Sequence, residues 1–115
     1  MRLTWLRWLS FVTIFSVLLL VTTNLNAQDA ATIYTQQCVA CHGASGKGDG
    51  AAGKFLTPKP ADFAASLKGK PDDWIAKAIK GGGQSVGEAP VMPPYPNLTD
   101  DQLKAMVDYV KHLGS

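Results

Sequence analysis

The stretch of sequence that decides the fold reads Cys38-Val39-Ala40-Cys41-His42. It contains both cysteines of the chain, three residues apart, and an imidazole follows the second thiol directly. Thiol and imidazole groups at such spacings serve three chemistries in proteins: thiol redox exchange, zinc binding and covalent attachment of a c-type haem. A conventional disulfide framework is excluded, because both thiols lie in one short segment.

The surroundings of this motif favour haem. A thioredoxin-like redox pair is expected in a βαβ context, whereas the residues after His42 are rich in glycine and no strand alternation follows. A structural zinc site needs four ligands, and the other histidine, His112, lies near the C-terminus with no further cysteine. The sequence therefore predicts one covalent haem c, with thioethers from Cys38 and Cys41 and with His42 as an iron ligand.

The N-terminal segment predicts export. Arg2 and Arg7 flank the start, and no charged residue occurs from Trp8 to Gln28, which is typical of a signal peptide. We predict a secretory signal over residues 1–27 and one domain, which carries the haem, over residues 28–115. A retained membrane anchor remains the alternative, because the uncharged run of 21 residues is long enough to span a bilayer. Both interpretations place the domain in the periplasm or elsewhere outside the cytoplasm, where c-type haem is attached.

The distribution of charge along the sequence limits the classes of partner that the domain can bind. The two arginines of the leader account for the net charge of +2, and the rest of the chain holds nine lysines and nine acidic residues. A neutral domain gives no case for nucleic-acid binding, which calls for a strong basic patch. Residues 43–70 nevertheless carry five lysines against two aspartates, so the domain has a dipole that can orient it toward a charged partner. Three lysines are candidates for such a docking face, with plain solvation as the alternative: Lys47, Lys54 and Lys59.

The sequence resembles the class I cytochromes c over residues 30–113. Three segments carry the resemblance: Cys-x-x-Cys-His-Gly-x-x-Gly-x-Gly-Asp-Gly at 38–50, Leu-Thr-Pro-Lys-Pro-Ala-Asp-Phe at 56–63, and Met-Pro-Pro-Tyr at 92–95. The resemblance implies an all-α domain, with three or more helices wrapped around one covalently bound haem, and a histidine and a methionine on the two sides of the iron.

The function that follows is electron transfer rather than catalysis. We expect a monomeric periplasmic carrier that exchanges electrons with redox proteins, including membrane oxidoreductases. An electron-transfer subunit of an oxidoreductase complex is the alternative. A haem enzyme or gas sensor would need an open or labile sixth position on the iron.

Three side chains of the domain can supply the second axial ligand. Met106 lies in a helical apolar stripe and is expected in the core. His112 falls in the last turn of the same helix, where a cation suits the helix dipole. Met92 lies in an irregular segment, residues 87–96, whose four prolines prevent a helix and stiffen the backbone. Because a thioether is a known axial haem ligand, and because the family's Met-Pro pair matches here, Met92 is the predicted ligand.

Periodicity and capping signals predict the helices. Asp29 is expected to cap the first helix, and Thr99 with Gln102 forms a capping-box pattern at the start of the last helix. On the resemblance, Tyr34 and Tyr109 fall where the family packs its first and last helices across each other, and both rings are expected to pack there. The predicted helices cover residues 30–38, 74–80 and 99–113, and the second of these is opened by Pro71-Asp72-Asp73 and ended by Gly81-Gly82-Gly83.

Other residues are predicted to surround the haem. On the resemblance, the backbone carbonyl of Pro58 accepts the proton on the outer nitrogen of His42, with Pro60 as the alternative. Trp74 is expected to line the haem pocket, and packing against the last helix is the alternative. Four apolar side chains are expected in the core or the haem wall: Phe55, Leu56, Phe63 and Leu67.

Overall fold

The computed structural model describes residues 25–115, with side chains from residue 29 onward. Most of the predicted signal peptide or anchor, residues 1–24, therefore lies outside the described residues. The described part of the chain contains helices and no strand, which confirms the predicted all-α class. Its α-helices are α1 (Leu25–Gln37), α2 (Val39–His42), α3 (Phe63–Ser66), α4 (Asp72–Gly81) and α5 (Asp100–Leu113), and two 3-10 helices span Gly53–Phe55 and Gly83–Val86.

Among the described helices, none is both long enough and apolar enough to cross a membrane.

Helices α4 and α5 begin where the sequence predicts. The Thr99 hydroxyl accepts the backbone N–H of Gln102 at 3.2 Å, and the Gln102 side chain accepts the backbone N–H of Thr99 at 3.0 Å. This reciprocal capping box satisfies two backbone donors that the start of a helix otherwise leaves unpaired. Helix α4 follows Pro71 and has Asp72 and Asp73 in its first turn, where negative charge is favourable to the helix dipole.

Helix α1 begins earlier than the sequence predicts. It starts at Leu25, so Asp29 lies inside the helix and does not cap it. The Asp29 carboxylate instead accepts a hydrogen bond of 3.2 Å from Nε2 of Gln102 in α5. The predicted N-cap was wrong because a polar residue before an apolar stripe marks a helix start only when the preceding residues are not helical as well.

The core lies between α1, α4 and α5. The rings of Tyr34 and Tyr109 lie 5.2 Å apart between their centroids, which confirms the predicted crossing of the first and last helices. Met106 is 1% exposed, so its predicted packing role is confirmed, and His112 is exposed at the end of α5. Burial of apolar surface between these helices is the main source of their stability. The buried core consists of Ala30, Tyr34, Phe63, Ile75, Ile79, Met106, Val107 and Val110.

The four apolar residues between 55 and 67 divide into three groups. Phe63 is buried, Leu56 and Leu67 are half-buried, and Phe55 is 88% exposed. The core prediction is therefore wrong for Phe55, which ends a short 3-10 helix on the surface of the described chain. The alternative for Phe55, a place in the haem wall, stays a prediction.

Candidate functional site

The two cysteines and the histidine lie on one helical turn at the junction of α1 and α2. The Cys38 N–H donates to the Tyr34 carbonyl at 2.9 Å, and the His42 N–H donates to the Cys38 carbonyl at 2.9 Å. Residues three and four positions apart share a face of a helix. The structure therefore brings Cys38, Cys41 and His42 together on one side of this turn.

The glycine-rich segment after His42 fixes the end of α2. Carbonyl groups near the end of a helix lack partners within the helix, and here the following segment supplies them. A side chain at Gly50 would collide with the carbonyl oxygens of Val39 and Ala40, so this close approach of two backbones requires glycine. Three consecutive carbonyls, those of Ala40, Cys41 and His42, accept N–H groups from Ala52 at 2.8 Å, Gly50 at 3.1 Å and Gly48 at 2.8 Å, respectively.

The His42 imidazole is held in a defined tautomer. Its Nδ1 lies 3.4 Å from the Ala61 carbonyl oxygen. A carbonyl only accepts hydrogen bonds, so Nδ1 carries the proton and Nε2 keeps a free lone pair. The Phe63 ring packs against the imidazole at 4.7 Å between centroids. Burial lowers the pKa of His42, and the hydrogen bond to Ala61 opposes this shift. The imidazole is therefore neutral, in the form that binds metal ions.

The carbonyl next to His42 is that of Ala61, so the prediction of Pro58, or of Pro60, as the acceptor is wrong. The Phe63 N–H donates to the Gly46 carbonyl at 2.8 Å. This bond ties the residues just before Phe63 to the glycine-rich segment, which places the Ala61 carbonyl beside the ring. The spacing of the two prolines from His42 does not reveal this pairing. The place of Pro58 in the haem environment stays a prediction.

Both thiols are free and half-buried. Burial, and in second place the charge of Cys41, raise the pKa of Cys38 to about 11. A thiol with this pKa stays protonated at neutral pH and is a poor nucleophile for disulfide exchange. The part of the chain that the structure describes also contains no group of three or more His, Cys, Asp and Glu side chains arranged to hold a metal ion. The raised pKa of Cys38 favours haem over the thiol-redox alternative.

A buried hydroxyl connects the core to the backbone beside His42. The Tyr34 hydroxyl donates a 2.7 Å hydrogen bond to the carbonyl of Gly43. Burial is the largest cause that raises the pKa of Tyr34 to about 12, so the hydroxyl remains a donor. The sequence predicted the packing of this ring against Tyr109. It gave no signal for the hydrogen bond, which depends on the turn at Gly43.

Met92 lies on a separate segment that is anchored to the end of α4. Its carbonyl accepts the Gly83 N–H at 3.1 Å, and the Tyr95 N–H donates to the Ile79 carbonyl at 3.1 Å. The Met92 side chain is half-buried and packs against the edge of the core. Met92 therefore lies on a different segment from the turn that carries Cys38, Cys41 and His42.

Trp74 lies in the first turn of α4. It is half-buried and packs against the core, and the Lys70 ammonium lies 4.3 Å from the centroid of its ring. This distance permits a cation–π interaction. The predicted role of Trp74 in the haem pocket stays a prediction.

The donor set of this site fits a covalently bound haem. Two free thiols on one turn can form two thioethers, and an adjacent imidazole with a bare Nε2 can ligate iron. The family model described as cytochrome c matches residues 27–114. The chain belongs to the cytochrome c family. Cytochrome c-552 of Nitrosomonas europaea is 36% identical to this cytochrome over 83 residues, which are 71% of this chain and 75% of that protein.

Membership of the family confirms the class I resemblance and the predicted cofactor. This cytochrome carries one covalently bound haem c with its iron, and its function is haem-based electron transfer. The helical architecture of the described residues agrees with this assignment.

Proposed function

We propose that this cytochrome is a periplasmic electron carrier whose haem iron is ligated by His42 and Met92. The observation that carries the proposal is the hydrogen bond between Nδ1 of His42 and the Ala61 carbonyl. It leaves Nε2 available on the same turn as two free thiols. When bound there, the haem supplies a one-electron ferric/ferrous couple.

The residues around His42 hold the imidazole in one orientation. Cys38 and Cys41 would hold the haem through two thioethers to its vinyl groups. The Phe63 ring and the Ala61 carbonyl then limit rotation of the imidazole. Such outer contacts set the orientation and basicity of a ligand histidine. Pro58 and Trp74 are proposed to line the haem environment.

Met92 is the proposed second axial ligand. Its neutral thioether favours ferrous iron and raises the reduction potential. The Gly83 N–H holds the Met92 carbonyl, and two prolines follow Met92 directly, so the backbone that follows this side chain is held and stiff. With His42 and Met92 both bound to it, the iron would have no open site for a substrate or a gas. A carrier, and not an enzyme, follows from this ligation.

The location rests on the leader and on the family. Cytochromes c are typically extracytoplasmic, and residues 1–27 have the pattern of a secretory signal. We propose that residues 28–115 form the exported cytochrome domain, free or tethered through an uncleaved leader. Mass spectrometry of the native chain measures this directly: loss of residues 1–27 supports cleavage, and their presence supports the anchor.

The proposed partners are redox proteins with acidic docking faces, membrane oxidoreductases among them. Lys47, Lys54 and Lys59 are all exposed. Association through these lysines should slow as salt rises, because salt screens exposed charges over about 10 Å at 0.1 M ionic strength. We propose a monomer that binds no nucleic acid, since the domain outside the leader is neutral.

Optical spectroscopy of two methionine variants tests the ligation. The protein is produced with the haem-maturation machinery, and the weak far-red band of methionine bound to ferric iron is recorded. We expect the band to disappear in Met92→Ala and to persist in Met106→Ala, because Met106 is 1% exposed in the core. Persistence of the band in Met92→Ala, or rapid binding of carbon monoxide to the ferrous wild type, would contradict the proposal.

A further inference from the structure

Tyr95 makes hydrogen bonds to two separate elements of the fold. Its hydroxyl donates to the carbonyl of Gln37 at 3.1 Å, across 58 positions of sequence. Its backbone N–H donates to the Ile79 carbonyl in α4 at 3.1 Å. Gln37 is the last residue of α1, and Cys38 follows it. Through its backbone and its side chain, Tyr95 therefore connects α4 and the segment of residues 87–96 that carries Met92 (the Met92 segment) to the start of the turn of residues 38–42 (the haem-attachment turn).

Among the described residues, the backbone hydrogen bonds of Met92 and Tyr95 lead to α4 and to the 3-10 helix Gly83–Val86 that follows it. Gly83 holds the Met92 carbonyl, and Ile79 holds the Tyr95 N–H. These two bonds fix Met92 relative to α4, but they do not fix it relative to His42. The hydroxyl of Tyr95 adds this missing connection, because Gln37 leads directly into the turn that ends at His42.

The Tyr95 hydroxyl is suited to a lasting contact. The side chain is half-buried and packs against the edge of the core. Burial is the largest cause that raises the pKa of Tyr95, so the hydroxyl stays protonated and able to donate. Pro93 and Pro94 separate Tyr95 from Met92. Their fixed φ angles transmit the position of Tyr95 to the base of the Met92 side chain.

We propose that Tyr95 is a positioning residue for Met92. Its hydrogen bond to Gln37 holds the Met92 segment close to the haem-attachment turn and thereby keeps the thioether on the iron. This inference rests on the proposed ligation by Met92. It concerns the exchange of that ligand, whereas the proposed function concerns its identity.

The test compares the cyanide-binding rates of ferric holoprotein variants by stopped-flow spectroscopy. Cyanide binds after Met92 leaves, so the rate reports how often the ligand detaches. We expect Tyr95→Phe, which keeps the ring and its packing, to bind cyanide about fivefold faster than wild type, since one neutral hydrogen bond contributes about 1 kcal/mol.

Tyr109→Phe is the matched control. Tyr109 is half-buried like Tyr95, and its hydroxyl makes no hydrogen bond within the described residues. We expect this variant to bind cyanide at the wild-type rate. The proposal is overturned if Tyr95→Phe binds cyanide within twofold of the wild-type rate, or if Tyr109→Phe accelerates it equally.

Met92→Ala separates failure of this inference from failure of the ligation. If the far-red band survives in Met92→Ala, the proposed ligand is wrong and the inference falls with it. If the band is lost in Met92→Ala while Tyr95→Phe leaves the cyanide rate unchanged, the ligation stands and only the positioning role fails.

Discussion

The segment that carries His42 and the segment that carries Met92 are held in different ways. In the first, residues 38–63, backbone hydrogen bonds join α2 to the glycine-rich segment, and the imidazole contacts both Ala61 and Phe63. In the second, residues 87–96, Met92 and Tyr95 are tied at their backbones to the C-terminal part of α4 and its extension. We call these the His42 segment and the Met92 segment.

The two segments differ in the sequence separation between each ligand residue and the residues that hold it in place. The imidazole of His42 finds its contacts within 21 positions of sequence, so this part of the site is complete within one continuous stretch. The Met92 segment depends on α4 and on the distant end of α1. Regions with few local contacts open at a lower free energy than the rest of a protein. Substitutions in the His42 segment should therefore change global stability, and substitutions in the Met92 segment should change ligand exchange.

The largest expected effect comes from adding one methyl group to each segment. Gly50→Ala places Cβ against the carbonyl oxygens of Val39 and Ala40, and we expect it to lower the free energy of unfolding by about 3 kcal/mol. At Gly87 the φ angle is +80° and the space around Cβ is open, so Gly87→Ala should cost about 1 kcal/mol of backbone strain. Urea unfolding of both holoproteins measures the difference. Equal losses in the free energy of unfolding would show that the backbones at Gly50 and at residues 39–40 can move apart to admit the methyl group.

Trimming an apolar side chain in each segment gives the next contrast. Phe63 is 8% exposed and packs against His42, whereas Val91 is 41% exposed. We expect Phe63→Leu to lower the free energy of unfolding by about 2 kcal/mol, roughly half the cost of truncation to alanine. Val91→Ala should change it by less than about 0.5 kcal/mol. The same unfolding measurement applies, and a larger cost at Val91 would mean that the Met92 segment contributes to the core.

Two tyrosine hydroxyls should produce opposite patterns of effect. Tyr34→Phe removes the buried hydrogen bond to the Gly43 carbonyl, and we expect a loss of about 1 kcal/mol in the free energy of unfolding. The rate of cyanide binding should stay at the wild-type value, because the Met92 segment is untouched. Tyr95→Phe should show the reverse, a faster cyanide reaction with a smaller loss of stability. If both variants change both quantities equally, the two segments do not act independently.

The smallest effect is expected at an ion pair outside both segments. The ammonium of Lys111 in α5 lies 2.6 Å from the carboxylate of Asp72 at the start of α4. Both side chains are largely exposed, and such pairs contribute little. Lys111→Gln should therefore lower the midpoint of thermal unfolding by less than Tyr34→Phe does.

The pH dependence of this contribution follows from the pKa of Lys111. The hydrogen bond to Asp72, followed by the charge of that carboxylate, raises the pKa from its ordinary value of 10.5. The folded state therefore holds this proton more tightly than the unfolded state does. The small stabilisation is complete below pH 10.5 and disappears as the pH rises through the raised value. Thermal unfolding of wild type and Lys111→Gln at neutral and strongly alkaline pH measures it, and a difference that grows with pH would contradict this sign.

Local signals in the sequence predicted much of the fold. The capping box at Thr99, the acidic first turn of α4 and the packing of Tyr34 on Tyr109 are all present in the structure. The first two features depend on short-range sequence patterns, and the third depends on the helix crossing that the family resemblance implies. The start of α1 was missed, because a helix that begins before an expected cap leaves the periodic pattern unchanged.

The contacts around the site were less predictable, because they depend on how loops pair. The Ala61 carbonyl replaces that of Pro58 beside His42 as a result of the hydrogen bond between Phe63 and Gly46. The bond from Tyr95 to Gln37 spans 58 positions, and no spacing rule relates these two residues. Residue types thus revealed the donor set, whereas the partners that orient the donors required the three-dimensional arrangement.

The packing of Tyr34 on Tyr109 also has a consequence for the order of folding. The ring centroids lie 5.2 Å apart, although these residues belong to the first and last helices of the described chain. A growing chain cannot bury Tyr34 in this way until synthesis has passed Tyr109, which lies far along the chain from Tyr34. The first described helix therefore lacks its packing partner while the residues between these two tyrosines are being made. Such a delay is compatible with the proposed export, in which an unfolded chain would be moved before its haem is attached.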